Sequence, residues 1–431
     1  MNKNPSKLKT EYIDRHSKGQ FFTDEKLMPI IFRTFNIETT QAQILEPSCG
    51  CGNFIDAILD NNPDASVDGV DIDKKVFVGL KKKYKYPNVR LFNCDFLKYN
   101  PDRQYDLIIG NPPFNLPAES PYNNTTDAFV LRSLELLKEN GKLIMVLPST
   151  FLRNKQYQEA RNIIINNYKI VGIIDSNGFD FLGADVETLV ICIQKVKVKK
   201  QKYFFYSQGM SKIINFKKNE RSTIQIHDNE FAEAISSKVG NRKIIDLFNV
   251  YRGRSNKKAA LKGRDIDFYG NFLKPVCNSR KPKIVVQNIA YRLVANISFD
   301  DVDSISDTVT IFEPKEDIKL DELLMICNYL NSSIANYLLH CKFLNFCMLT
   351  IHIDKYYVDY LPIPNADIKK EPFIELDNLS RTVTFANKRN DIFYSLYSLN
   401  EDEISEIEFK WILPRFKIKE GAGYEISRTY Y

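Results

Sequence analysis

Through the first 190 residues of the chain, short apolar runs alternate with stretches of helical spacing, and the apolar runs end abruptly in carboxylates, glycines or prolines. QILEP (43–47) enters a glycine-containing turn, and residues 53–59 follow at helical spacing. SVDGVDID (66–73), VRLFNCDF (89–96) and YDLIIGNPPF (105–114) are three further runs, the last broken by two consecutive prolines. KLIMVLP (142–148), KIVGIID (169–175) and ETLVICIQ (187–194) complete the series, with a helical QEARNIIINNY before the second of them. DAFVLRSLELLKENGK (127–142) reads as one more helix, with Thr126 the expected N-cap and Gly141 the expected stop. Strands alternating with helices fold as a doubly wound, mainly parallel sheet, so the expected class is α/β and Rossmann-like. In such sheets ligands bind beyond the carboxyl ends of the strands. Three of these runs end in carboxylates or in the Pro-Pro turn, which locates the chemistry.

The rest of the chain is bounded by length and charge. At 431 residues, 44% hydrophobic and 26% charged, the chain has the composition of two or three soluble globular domains. No apolar run is long enough to span a bilayer, and the polar N-terminus lacks a signal-peptide core, so a cytoplasmic protein is expected. Eight scattered cysteines and four histidines show no zinc spacing; free thiols and no metal are expected. The total charge of +6 conceals a basic segment: residues 195–294 hold 23 Lys and Arg against 7 Asp and Glu. That asymmetry suits a polyanionic partner, although a solvated basic face would look the same. Composition shifts divide the chain into 1–198, a basic 199–364 of mixed α+β pattern, and a helical 365–431.

Four motifs carry chemistry. Glu46-Pro47-Ser48-Cys49-Gly50-Cys51-Gly52 follows a strand and opens a helix, and its glycines let a ligand approach the backbone closely. Asp71 ends the next strand about 20 residues later, the spacing at which an acidic residue reaches ribose hydroxyls. Asp71 and Asp73 could instead cap the following helix. Asp95 and Phe96 could offer an adenine an acceptor for its amino group and an apolar face. In Asn111-Pro112-Pro113-Phe114 the prolines fix an extended backbone without N–H donors. The Pro112 carbonyl and the Asn111 amide oxygen would then stand as two acceptors for one NH₂ group, with Phe114 available for stacking.

GQFFT (19–23), LEPSCGCGNF (45–54), GVDID (69–73), NCDF (93–96) and NPPF (111–114) resemble, in order and spacing, the motifs of the gamma-class amino DNA methyltransferases, typified by the TaqI adenine methylase. The resemblance is strong over residues 18–195. It continues more loosely through KPKIVVQNIAYRL (281–293) to YLPIP (360–364), which looks like the family's DNA-recognition domain. It implies a methyltransferase sheet, S-adenosylmethionine as methyl donor and duplex DNA as partner. Thr23 would then close over the methionine part and Glu46 would face its amino group. Ser48, Gly50 and Gly52 would lie under the cofactor, Asp71 would hold the ribose, and Asp95 and Phe96 would hold the adenine. Asn111, Pro112 and Phe114 would engage the target base, beside Pro113. Phe181 (or Phe179) would pack on that base from a later loop. The family's tetrapeptide more often ends in Tyr than in Phe; stacking needs only the ring.

The chemistry this implies is methyl transfer to the N6 of an adenine flipped out of the duplex. Arg252, Arg254, Arg280 and Lys281, with Lys257, Lys258, Arg264 and Lys283, sit among Gly, Asn and Ser and are expected at the DNA. A monomer serving restriction-modification, with any nuclease encoded separately, fits this pattern. The competing substrates are a protein glutamine amide and RNA, since both also offer a planar NH₂ group.

Overall fold

A computed structural model describes residues 27–114, 116–117, 124–176, 187–207, 209–227, 229–255, 259–266, 281–345, 351–373 and 383–412. The chain divides into two compact units, Met1–Ile226 and His227–Tyr431.

The first unit is built on nine strands: β1 (Gln43–Glu46), β2 (Ser66–Asp71), β3 (Val89–Asn93), β4 (Tyr105–Gly110), β5 (Leu137–Pro148), β6 (Lys169–Asp175), β7 (Thr188–Gln194), β8 (Lys202–Ser207) and β9 (Met210–Asn215). Their order is β3-β2-β1-β4-β5-β7-β6-β8-β9. Strands β1 to β5 are mutually parallel, and β7 runs antiparallel between β5 and β6. This is the doubly wound, mainly parallel, Rossmann-like sheet expected from the sequence.

Alternation along each strand feeds two cores, one on each face of the sheet. Ile44, Ile109, Ile144 and Val146 pack with α1 (Leu27–Phe35) and α2 (Asn53–Asn61). Leu45, Ile108, Leu143 and Met145 pack on the other face with α4 (Thr125–Leu136) and α5 (Gln158–Asn167). Between these helices in sequence, α3 (Lys74–Lys83) buries only Leu80 and ends in three lysines, which suit a helix C-terminus.

Three boundaries differ from the sequence reading. The sheet continues through β8 and β9, so the first unit ends at Ile226 and not near 198. The N-cap of α4 is Asn124, whose side chain accepts from the Asp127 N–H, and not Thr126. The same helix stops at Leu136, and Gly141 lies inside β5, where a Cβ would stand 2.9 Å from the Lys138 carbonyl.

The second unit is α+β. An antiparallel sheet, in the order β10 (Phe248–Arg252), β14 (Val309–Pro314), β11 (Lys283–Gln287), β13 (Ala295–Ser298), is joined by a ribbon of β12 (Ile289–Ala290) and β15 (Ile351–His352). Val250, Ile284, Val286 and Phe312 face a large core shared with helices α6 (Glu230–Val239), α7 (Leu320–Leu330), α8 (Ser333–Leu339), α9 (Val383–Leu396) and α10 (Glu401–Ile407). Val285, Val309 and Ile311 face a smaller core with Leu261 and Ile305. Phe373, Phe393 and Ile407 belong to the large core, so the described part of the helical tail is integral to this unit. No helix among the described residues is long and apolar enough to cross a membrane.

Candidate functional site

Because β1 to β4 are parallel, their carboxyl ends share one edge of the sheet, at the point where the strand order reverses between β1 and β4. Four of the sequence motifs meet there. An open polar concavity lined by Ile37, Thr40, Ala42, Asp106 and Lys142 lies at the opposite edge and holds none of them.

The turn after β1 is closed by the Gly52 N–H donating to the Cys49 carbonyl (2.7 Å) and tied to β2 by the Cys49 N–H donating to Val70 (2.9 Å). Gly50 and Gly52 hold φ of 47° and 85°, which favour glycine. A Cβ on Gly52 would stand 2.3 Å from the Tyr84 hydroxyl, itself within 2.9 Å of the Gly52 carbonyl and 2.7 Å of Asp56 Oδ1. Gly52→Ala is therefore expected to destabilise the protein by about 1–3 kcal/mol through left-handed strain and displacement of that ring. A urea midpoint equal to that of the wild type would refute this.

Two carboxyl groups flank the turn. Asp71 accepts from the Gly50 N–H through Oδ2 and from the Asp73 N–H through Oδ1, both at 2.8 Å. Helix capping falls to Asp73, whose side chain accepts from the Lys75 N–H (2.8 Å), so Asp71 serves the turn. Burial raises the Asp71 pKa despite those two N–H donors. Glu46 is 1% exposed, and its Oε2 has no hydrogen-bond partner among the described residues. Burial, then the charge of Asp71, pushes the Glu46 pKa well above the usual carboxylate range. Cys49 is buried, and burial pushes its thiol pKa up, which disfavours the nucleophilic thiolate.

Asp95, half-buried, accepts from the Leu97 N–H (3.0 Å) and caps a short 3₁₀ turn. Phe96 is 2% exposed and its ring packs on Phe129 at 4.9 Å, which leaves little of it for a ligand. Ile72, which no sequence motif singled out, is 71% exposed beside Asp71. Its signal was an apolar residue between two aspartates just past a strand end, where the sheet no longer covers it.

Strand β4 ends at Gly110, where a Cβ would approach Pro47 Cδ to 3.1 Å, so the next residues start pressed against the glycine turn. Ser48 Oγ donates to the Asn111 carbonyl (3.1 Å). Pro112 is buried and Pro113 partly exposed. Phe114, expected to present an open ring, is 4% exposed among the residues of the sheet core. Glu46, Ser48, Gly50, Gly52, Asp71, Asp95, Asn111 and Pro112 thus lie along one edge. Thr23, Phe179 and Phe181 lie outside the described residues.

In the second unit, Arg252 and Arg254 lie at one end of the four-stranded sheet. The exposed Arg252 guanidinium donates to the Asp307 carbonyl (3.0 Å), and Arg254 pairs with Asp303 (2.6 Å). Lys281 precedes β11, which runs parallel to β10 across β14, so it sits at the other end, exposed and paired with Asp317 (3.3 Å). Lys283 is not at the surface: it is 3% exposed and donates to the Asp300 carbonyl (2.6 Å), and burial lowers its pKa. Arg280, Lys257 and Lys258 lie outside the described residues. Nine of the 23 basic residues of 195–294 precede residue 227 and so belong to the first unit. The Arg252 end also carries a pair that no sequence signal announced. The exposed His352 Nδ1 lies 2.8 Å from Oδ1 of the buried Asn288, whose Nδ2 donates to Thr310 Oγ1 (2.8 Å) and the Ile353 carbonyl (3.3 Å).

Residues 52–181 match the model of the Eco57I restriction-modification methylase family. The chain is 34% identical over 163 residues to the modification methylase CviBIII of Paramecium bursaria Chlorella virus NC1A, covering 35% of this chain and 43% of that protein. It is 25% identical over 288 residues to the type II methyltransferase M.CvrRI of Paramecium bursaria Chlorella virus XZ-6E, covering 64% of this chain and 69% of that protein. Among solved structures, the type IIG restriction endonuclease BpuSI aligns with 90% of this chain and 64% of its own, at 13% identity and a TM-score of 0.42. The first of these matches spans less than half the length of the relative. The matched segment runs from the glycine turn past the Asn-Pro-Pro-Phe turn.

Proposed function

We propose that this chain is a site-specific DNA methyltransferase of a restriction-modification system, transferring a methyl group from S-adenosylmethionine to the exocyclic N6 of an adenine held outside the duplex. The observation that carries this reading is the contact between the turns after β1 and β4: Ser48 of the glycine turn bonds directly to the backbone of Asn111.

The residues present fit the donor. Glu46 holds a buried carboxylate oxygen without a partner among the described residues, and an α-ammonium group would satisfy it. Asp71, fixed by two backbone N–H groups, suits a ribose diol. Asp95 suits an adenine amino group, and the exposed apolar side chain of Ile72 suits a planar ring. When bound, S-adenosylmethionine supplies an electrophilic methyl group on a positively charged sulfur.

Asn111 Oδ1 and the Pro112 carbonyl accept the two hydrogens of the target amine. That arrangement favours a more tetrahedral nitrogen and frees the lone pair otherwise delocalised into the ring, which is positioning joined to electrostatic stabilisation. The nitrogen would gain its fourth bond as the sulfur–methyl bond breaks to leave a neutral thioether. The cationic amine would then give its proton to water, so no strong base is required. Phe181 stacks on the base and Thr23 covers the methionine part. Arg252, Arg254, Arg280 and Lys281 meet phosphates or base edges in a protein acting as a monomer.

Transfer of a tritiated methyl group to unmodified duplex DNA, RNA and protein, followed by nucleoside chromatography, tests the reading. The expected product is N6-methyladenine in duplex DNA. N4-methylcytosine would overturn the choice of base, and label only in RNA or protein would overturn the substrate.

A further inference from the structure

The Asn111-Pro112-Pro113-Phe114 turn cannot hold itself. Two of its four residues lack an N–H, and it belongs to no helix or strand. Asn111 and Pro112 each precede a proline and are therefore confined to extended backbone. Two hydroxyl groups hold the turn from outside. Ser48 Oγ donates to the Asn111 carbonyl at 3.1 Å. Thr125 Oγ1, on the first residue of α4, lies 3.3 Å from the Pro113 carbonyl.

Thr125 is itself anchored. Its N–H donates to the Leu116 carbonyl (2.9 Å), and its Oγ1 accepts from the Leu116 N–H (3.2 Å). The same Oγ1 is 3.3 Å from the Leu116 carbonyl, so one hydroxyl proton serves two carbonyls, those of Pro113 and Leu116. Asn124 fastens the helix start behind it: its Oδ1 accepts from the Asp127 N–H (2.9 Å) and its Nδ2 donates to Asp127 Oδ2 (3.1 Å). The two hydroxyls thus come from separate elements, one from the loop after β1 and one from α4.

In extended backbone, neighbouring carbonyls point in different directions. With the carbonyls of residues 111 and 113 held by hydroxyls, that of residue 112 is directed away from both. Among the described residues nothing donates to it. We propose that Ser48 and Thr125 are positioning residues whose hydroxyls grip the flanking carbonyls and so aim the Pro112 carbonyl at the target amine. The proposal rests on the methyltransferase reading. It also gives Ser48 a different duty from the cofactor contact implied by its motif: it couples the glycine turn to the turn that holds the base.

The test uses the full chain carrying Ser48→Ala, Thr125→Val or Thr125→Ser, with steady-state DNA methylation and calorimetric titration of S-adenosylmethionine. In the first two variants kcat should fall about tenfold or more, as a misplaced acceptor would require. KM for DNA and Kd for the cofactor should stay within about twofold, because the clamp acts on the transition state and not on either bound ligand. Thr125→Ser, which keeps the hydroxyl, should restore kcat. Unchanged kcat in Ser48→Ala and Thr125→Val, or a serine variant as slow as the valine one, would overturn the proposal. If the valine variant does not fold, Ser48→Ala decides alone. A wild-type protein that methylates no substrate would sink the methyltransferase reading and the clamp together, whereas an active wild type with equally active variants sinks only the clamp.

Discussion

Asn111→Ala is expected to lower kcat for methyl transfer by about 10²–10³-fold, the loss typical of removing one preorganised hydrogen-bonding group from a reacting centre. The substitution deletes the side-chain amide and keeps the main chain of the turn. The Ser48 hydroxyl bonds to the main-chain carbonyl of residue 111, which alanine retains. The close approach of Gly110 to Pro47 is also untouched. Cofactor affinity should therefore remain within about twofold, since the amide stabilises the transition state and does not hold the donor. Rapid-quench single turnovers with labelled donor separate the chemical step from product release. A raised KM for DNA with kcat intact would mean that the amide only binds the substrate, and the assignment would fall.

The parts of this site that were legible in the sequence are those fixed by local physics. Strand alternation, a glycine turn and a proline pair are written in adjacent residues, and they located the ends of β1 to β4. The later part of the first unit was not legible in that way. Strands β8 and β9 lie at the sheet margin, where only alternate positions of β8 and Ile214 of β9 are buried. Their lysines and aromatics therefore read as a composition change, although backbone pairing keeps them on the sheet. The start of α4 is set by a tertiary contact that spacing does not record: Thr125 is drawn back to Leu116, so Asn124 and not Thr126 takes the cap. Charge could be counted but not located. Arg252 and Lys281 fall at opposite ends of one sheet because β10 and β11 flank β14 in antiparallel register, a long-range fact that spacing does not record. Burial of Phe96 and Phe114 is equally non-local, since it depends on Phe129 and on the core of the sheet.

Glu46→Gln should weaken S-adenosylmethionine binding at least about 30-fold, the lower range for removing one partner of a buried charge pair. The same change should stabilise the ligand-free protein above neutral pH. Burial and the neighbouring Asp71 raise the Glu46 pKa, so the folded state holds this proton over a range of pH in which the unfolded chain has released it. With more protons on the folded state, stability falls as pH rises from the ordinary carboxylate range toward the raised value. Glutamine carries no titrating group and removes that loss; Asp71, whose pKa is also raised, leaves a smaller slope of the same sign. A bound ammonium group reverses the preference by favouring the ionised carboxyl, so cofactor binding should release a proton and tighten as pH increases. Melting curves from pH 5 to 8, with and without S-adenosylmethionine, test both halves. In the wild type the shift caused by the cofactor should grow with pH, and in Glu46→Gln it should be small and nearly flat. If the two proteins gave the same cofactor shift at every pH, the buried carboxyl would not be meeting the ammonium group. If they gave the same ligand-free melting profile, Glu46 would not be holding the extra proton. The two halves fail independently, so the experiment separates a carboxyl that is merely buried from one buried to receive a cation.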